Sequence, residues 1–388
     1  MTGDLVDAAK RGGQALKGYI AKYSQEVFQT ELEEALDASI KLNLPAAAIT
    51  LLQYVVSSNC LALATRPLET ALQLDSDKDA RKFCKMLTKF KADVNYPGLL
   101  ANVVADHPNL LPLFLTAGGN FDEHGVEALV RAAECGQLVA ARRLVNQRVN
   151  IHAFDNERRM NPLQAAIFSC DKEMVHFLLT HGADINAPAY QDGGLTALQL
   201  ALFNGSLETA RYLLRKGADV FAPPALLNGR TVLEAVCTLA DNDQARADLC
   251  HKLLYAGAPV NRPGMKPSSE YDEIENNYDD NDCISCARTP TQLASALGQL
   301  EALKMLLERG ADVNEAPADE YGRTALQAAA CSETPHPDLI HFLLERGADV
   351  HAEPAVLGGV TALQGAAIAE KQEHFAVANL LKDATPEG

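Results

Sequence analysis

Thr196-Ala-Leu-Gln-Leu-Ala-Leu-Phe-Asn-Gly205 and Thr289-Pro-Thr-Gln-Leu-Ala-Ser-Ala-Leu-Gly298 are two copies of one phrase. Each runs on into a second apolar segment, at Leu213-Leu214 and Leu306-Leu307. Each closes on Gly-Ala-Asp-Val, at Gly217 to Val220 and at Gly310 to Val313, 21 residues from Thr to Gly in both. The same frame fits Asn161-Pro-Leu-Gln-Ala-Ala to Gly182-Ala-Asp-Ile, and Thr70-Ala-Leu-Gln-Leu to Lys91-Ala-Asp-Val. Weaker copies start near Glu34, Pro97 and Glu127. Three more start at Thr231, Thr324 and Thr361, each with a few extra residues between its helices, for about ten copies in all. Self-similarity at a fixed period marks a stacked architecture.

The chemistry of one unit is legible. Thr followed by Pro or Ala is a helix start, with the hydroxyl at the cap and Pro tolerated at the first helical position. The first helix is short and made of small and apolar residues, such as Leu163, Ala165, Ala166 and Ile167. Gly136, Gly205 and Gly298 then break it. The second helix carries Val175, Leu178 and Leu179, or Ala210, Leu213 and Leu214, at i, i+3, i+4 spacing. A helix pair this small cannot bury its apolar face alone, so the copies are expected to stack into a solenoid.

The repeated start resembles that of the ankyrin-repeat family. Its Thr-Pro-Leu-His appears here as Asn161-Pro162-Leu163-Gln164, Thr196-Ala197-Leu198-Gln199, Thr289-Pro290-Thr291-Gln292, Thr324-Ala325-Leu326-Gln327 and Thr361-Ala362-Leu363-Gln364. Gln stands at the His position in all five and keeps both a donor and an acceptor for bracing a neighbour. The resemblance covers roughly residues 32–384. It implies an all-α ankyrin solenoid of stacked helix-turn-helix units with extended hairpin fingers. The fingers read Ala187-Pro188-Ala189, Ala222-Pro223-Pro224-Ala225, Ala316-Pro317-Ala318 and Ala352-Glu353-Pro354-Ala355. In this they look like the ankyrin arrays of filamentous fungi, without the effector module that often precedes such arrays.

The resemblance also implies a protein-binding groove formed by the fingers and the exposed side of the first helices. Carried onto this sequence, its contact positions include Glu157, Arg158, Met160 and Phe168; Asp192, Leu195 and Phe203; Asn228, Arg230 and Thr238; and Glu320, Tyr321 and Arg323. Phe168, Phe203 and Tyr321 are large apolar groups where water is expected, and Arg158, Arg230 and Arg323 lie close to them in sequence. Aromatics with Arg are the usual anchors of an interface.

Composition narrows the alternatives. Among 388 residues, 51 Asp and Glu face 34 Lys and Arg, a net charge of −17. Such a surface repels phosphate backbones unless basic residues are segregated. The unbroken basic runs are pairs such as Arg142-Arg143, so nucleic acid is not an expected partner. There is no Trp, and aromatics reach only 6%, which disfavours base- or sugar-stacking sites. No apolar run is long enough to span a bilayer. The nine Cys are dispersed and odd in number, as expected of reduced thiols. The N-terminus lacks the pattern of a signal peptide. The expectation is a monomeric cytoplasmic or nuclear protein with no membrane partner.

No motif points to catalysis or to a cofactor. Cys283-Ile-Ser-Cys286 is the single CxxC, without the second ligand pair that zinc requires. No H-E-x-x-H, G-x-S-x-G or Walker sequence occurs. Residues 1–31 read as an N-terminal helical cap broken near Gly12-Gly13, followed by the array over 32–384. An insertion at 263–288 interrupts it. Within the insertion, Ser268 to Asp282 holds seven acidic residues and no basic one. It is either a tolerated insertion or an acidic contact or phosphorylation segment. Two functions follow: an adaptor that binds a protein partner through the groove, or a regulator that sequesters an enzyme or transcription factor.

Overall fold

The computed structural model describes residues 2–23, 29–57, 66–190, 194–223, 231–237, 243–261, 289–317, 321–332, 334, 336–368 and 372–384. The acidic stretch 268–282, the Cys283/Cys286 pair and the expected contact residues Asp192, Asn228, Arg230, Thr238 and Glu320 lie outside them. Among the described residues there is no strand, only an isolated antiparallel bridge between Asp155 and Met160. The chain divides into two compact units, Met1–Ala183 and Asp184–Gly388.

The first unit is a series of helix pairs. They are α1 (Thr2–Lys10) with α2 (Gly13–Tyr23), α3 (Gln29–Lys41) with α4 (Pro45–Ser57), and α5 (Arg66–Leu72) with α6 (Asp77–Lys89). There follow α7 (Leu99–Asp106) with α8 (Leu111–Thr116), α9 (Phe121–Glu134) with α10 (Leu138–Asn146), and α11 (Pro162–Phe168) with α12 (Lys172–Thr180). First helices pack in a row, α1 on α3 and so on through α5, α7 and α9 to α11. Second helices form another row, α2 on α4, α4 on α6 and α6 on α8. The front segment therefore stacks by the same rule as the pairs from α3 to α8, burying Leu5, Ala8, Ala9 and Leu16.

The second unit repeats the plan with α13 (Ala197–Phe203) and α14 (Leu207–Arg215), then α15 (Val232–Cys237) and α16 (Asp243–Tyr255). It continues with α17 (Pro290–Ala296) and α18 (Leu300–Glu308), α19 (Ala325–Ala330) and α20 (Pro337–Glu345), and α21 (Ala362–Ile368) and α22 (Gln372–Ala384). Odd-numbered helices again pack in a row from α13 to α21.

Two details differ from the frame read off the sequence. The unit ending at Lys91 begins at α5, so Thr70 sits in the last turn of that helix rather than at its cap. The cause is α6, whose 13 residues exceed the nine of α12 by a turn, so that counting back from Lys91 falls short. The unit at Thr361 has no extra residues between its helices; its second helix is the long element instead.

The caps explain why the first helices are so short and yet so well fixed. Asn161 with Gln164, Thr196 with Gln199 and Thr324 with Gln327 form reciprocal capping boxes. Gln327 does more than cap. Its Oε1 accepts the Thr324 N–H at 3.0 Å, while its Nε2 donates to the carbonyls of Ala352 and Glu353 in the following finger, at 2.9 and 3.3 Å. Gln292 reaches Glu315 and Ala316 in the same way. Gln364 is exposed and, among the described residues, bonds only within its cap.

This contrast gives a test. Gln327→Ala removes a buried cap bond and orphans two finger carbonyls, and should cost about 2–3 kcal/mol. Gln364→Ala should cost roughly 0.5 kcal/mol, within the range for exposed caps. Urea denaturation of the two variants measures both, and equal losses would remove the bracing role.

Candidate protein-binding surface

The expected contact residues fall into three groups once their surroundings are known. In the first unit, Phe168 ends α11 with half its surface exposed (51%). In the second, Phe203 ends α13 in the same frame position and is 48% exposed. A first helix built to let its neighbours approach closely has no interior room for a ring at its last turn, so the ring stays outside. Leu195 is half-buried just before the cap of α13.

Tyr321 is also 48% exposed, but it is engaged with the next finger. Its N–H donates to the Leu357 carbonyl at 2.7 Å. Its ring lies so close over Gly358 that a Cβ there would clash with it. Only glycine fits under that ring, and Gly358 also adopts a left-handed φ of 65°. Beside this contact, Val356 is 86% exposed and Leu357 is exposed too. Neither was among the expected contacts. The signal was present, since Leu357 stands four residues before Thr361, the spacing used for the other repeats.

The arginines behave differently from expectation. Arg323 is buried, only 7% exposed, so it does not stand beside Tyr321 as an open anchor. Arg158 is half-buried and braced within its own unit. Its Nε donates to Glu134 at the end of α9, and its Nη1 to Asp155 in the finger, both at 3.1 Å. Glu134 also holds Arg131 at 2.8 Å. Asp155 accepts the backbone N–H groups of Glu157 and Arg158 as well, so the finger turn is knotted around one carboxylate. Burial alone would lower the Arg158 pKa, but the two carboxylates outweigh it and raise it. Glu157 is exposed and Met160 half-buried at the bridge.

A second cluster on the same side of the first unit involves carboxylates. Glu127 of α9 accepts the Gly98 N–H at the start of α7, at 3.1 Å. Its pKa is raised, first by burial and then by Asp155 and Glu157, against the opposing pull of the Gly98 bond and Arg158. The Tyr96 hydroxyl donates to Glu69, which raises its own pKa.

Among the described residues no group of three or more His, Cys, Asp or Glu could hold a metal, and no helix is long and apolar enough to cross a membrane. Cys84 and Cys250 are buried, and burial pushes their thiols up to about 12; Cys237 is pushed well above its ordinary value, chiefly by burial. Such thiols are poor nucleophiles.

The family profile for ankyrin repeats matches three times, at residues 99–189, 154–224 and 242–354, together more than half of the chain. The chain belongs to the ankyrin-repeat family. As an ankyrin-repeat protein it carries a protein–protein interaction module. Pairs α1 to α6 stack by the same rule although the matched residues begin only at 99. Comparison with curated proteins found no match. Among solved structures, the human ASB11 ankyrin repeat domain is 23% identical, with a TM-score of 0.45 over 67% of this chain and 99% of that one.

Two outcomes follow from the first unit. Arg158→Ala leaves Glu134 and Asp155 short of their shared cation and should cost roughly 1–2 kcal/mol by urea denaturation. Glu127 has a folded pKa above its ordinary value of 4.5, so the folded state holds the proton more tightly than the unfolded chain. Its charge therefore costs stability as pH rises above 4.5, and the cost is complete above the folded pKa. Glu127→Gln should raise the melting temperature at pH 7 and lose that advantage at pH 4; the reverse pattern would contradict the burial argument.

Proposed function

We propose that this ankyrin array is a non-enzymatic adaptor that binds a protein partner through its fingers and the exposed ends of its first helices. The observation that carries this reading is the exposure of Phe168 and Phe203 at one and the same frame position. A packing residue would vary in exposure with its neighbours; a repeated exposed ring is what a binding face needs. Tyr321 and Leu357 extend the same kind of surface along the fingers of the second unit. Arg158 and Arg323 support the fold of that surface rather than contribute open charge to it. Asp192, Asn228, Arg230 and Glu320 complete the proposed contacts by their sequence positions. The chain acts as a monomer in the cytoplasm or nucleus, without nucleic acid, membrane or cofactor.

A second reading, that the array sequesters a regulatory protein, is favoured by the distribution of charge. Asp184–Gly388 holds 30 acidic against 15 basic residues, while Met1–Ala183 holds 21 against 19. The acidity is thus a property of the second unit, and a basic partner suits it. Salt separates the readings: an affinity that collapses between low and physiological ionic strength favours sequestration by charge.

Affinity capture with the full chain identifies the partner. Phe168→Ala and Phe203→Ala, made separately, should each then weaken its binding about ten-fold, the scale of a single interface anchor. Unchanged affinity in both would remove the proposed surface.

A further inference from the structure

Within the second unit, the turns that follow the second helices are tied together by asparagines. Asn186 donates through Nδ2 to the Gly217 carbonyl at 3.3 Å and accepts the Asp219 N–H on Oδ1 at 2.9 Å. Asn261 makes the same two bonds to Gly310 and Asp312, at 3.2 and 3.1 Å. Asn314 makes them to Gly347 and Asp349, at 2.9 and 2.8 Å. Each asparagine stands four residues after the residue that closes a second helix, and each reaches the next closing glycine and the residue two beyond it.

One joint departs from this rule on both of its sides. Four residues after Gly217 stands Phe221, which has no amide to offer. Two residues after Gly257 stands Pro259, which has no N–H to donate. In place of two directional bonds, the Phe221 ring lies over Gly257, its Cζ 3.2 Å from where a Cβ would sit. Apolar contact is non-directional, so a ring on a glycine holds two turns together without fixing their angle.

A groove of about 550 Å³ opens between α14 and α16, lined by Arg211, Leu214, Asp219, Phe221, Lys252 and Ala256. Among the described residues, further contacts across the joint lie on the helices. First helices α13 and α15 pack together, and Arg211 Nη2 pairs with Asp248 Oδ2 at 2.6 Å. Asp248 also takes Lys252 at 2.7 Å. These contacts form an axis, with the unclamped turns on one side of it.

We propose that the joint between α13–α14 and α15–α16 is a hinge, about which the repeats before and after it rotate as two bodies. Rotation slides Phe221 over Gly257 and opens or closes the groove, while α13 and α15 stay packed. The second unit thereby changes curvature at a defined place, whatever its surface binds.

Hydrogen exchange of the full chain, read by mass spectrometry, tests this. The peptide covering 256–261, whose turn no asparagine holds, should exchange about ten-fold faster than those covering 216–221, 309–314 and 346–351, the scale expected for loss of two net hydrogen bonds. Phe221→Asn combined with Pro259→Asp rebuilds the clamp and should slow exchange at the joint to the rate of the clamped ones. Equal rates in the unaltered chain, or a folded double variant with unchanged exchange, would overturn the proposal. Should the double variant fail to fold, Asn314→Phe decides instead. Faster exchange confined to the α18–α20 turns supports the clamp as the source of rigidity, and no change overturns it.

Discussion

A helix pair of this size has nothing to bury until the next pair arrives, and the group that commits one pair to the next is a buried amide. Gln327 uses both of its ends, one for the cap of its own helix and one for the carbonyls of the following finger. The task needs a side chain with both a donor and an acceptor, since a carboxylate lacks the donor and a leucine lacks both groups. Where the same place holds an acid, the bond between pairs reverses. Asp37 accepts from the Thr70 hydroxyl and Glu69 from the Tyr96 hydroxyl, so the following pair donates. Glu234 keeps the cap, accepting both the N–H and the hydroxyl of Thr231. One geometric demand, a polar bridge from the first helix to the following pair, is therefore met by two chemistries along one chain.

That demand also decides what the surface looks like. A row of first helices in close contact admits Ala and Leu and little else, as in α11, where Leu163, Ala165, Ala166 and Ile167 are all buried. Rings are displaced to the last turn or to the fingers. Phe168, Phe203 and Tyr321 are outside because the packing leaves no place for them within. The same economy makes each of them available to a partner, since little of the fold's stability depends on hiding them.

Much of this was legible in the sequence, and the exceptions have physical causes. The fold followed from Thr-Ala-Leu-Gln and Gly-Ala-Asp-Val at fixed spacing, because caps and left-handed turns require particular residues. The closing turn at Lys91 was placed correctly although Lys, not Gly, adopts the left-handed φ of 60° there. The start of that unit was misplaced by the extra turn of α6, because helix length is set by how far the apolar face can be covered, not by the repeat. Frame position alone was enough to place Phe168, Phe203 and Tyr321 at exposed positions. The arginines were not, since frame position fixes where a backbone runs and not where a long side chain finds its carboxylate. Arg158 turned to Glu134, 24 residues away, and no local pattern records that.

The break in the asparagine ladder belongs to a different class of information. Phe221 alone reads as an ordinary exposed ring, and Pro259 alone as an ordinary turn residue. They gain meaning together, because the frame places the missing amide of one opposite the missing N–H of the other. A repeat protein makes such coincidences visible, since three other joints of the same unit state what the bond should have been. The clamp groups are exposed, so a donor or acceptor that lost its partner there would turn to water at little cost. Losing the clamp therefore removes chiefly the directional restraint, so a joint of this kind can be soft without being unstable.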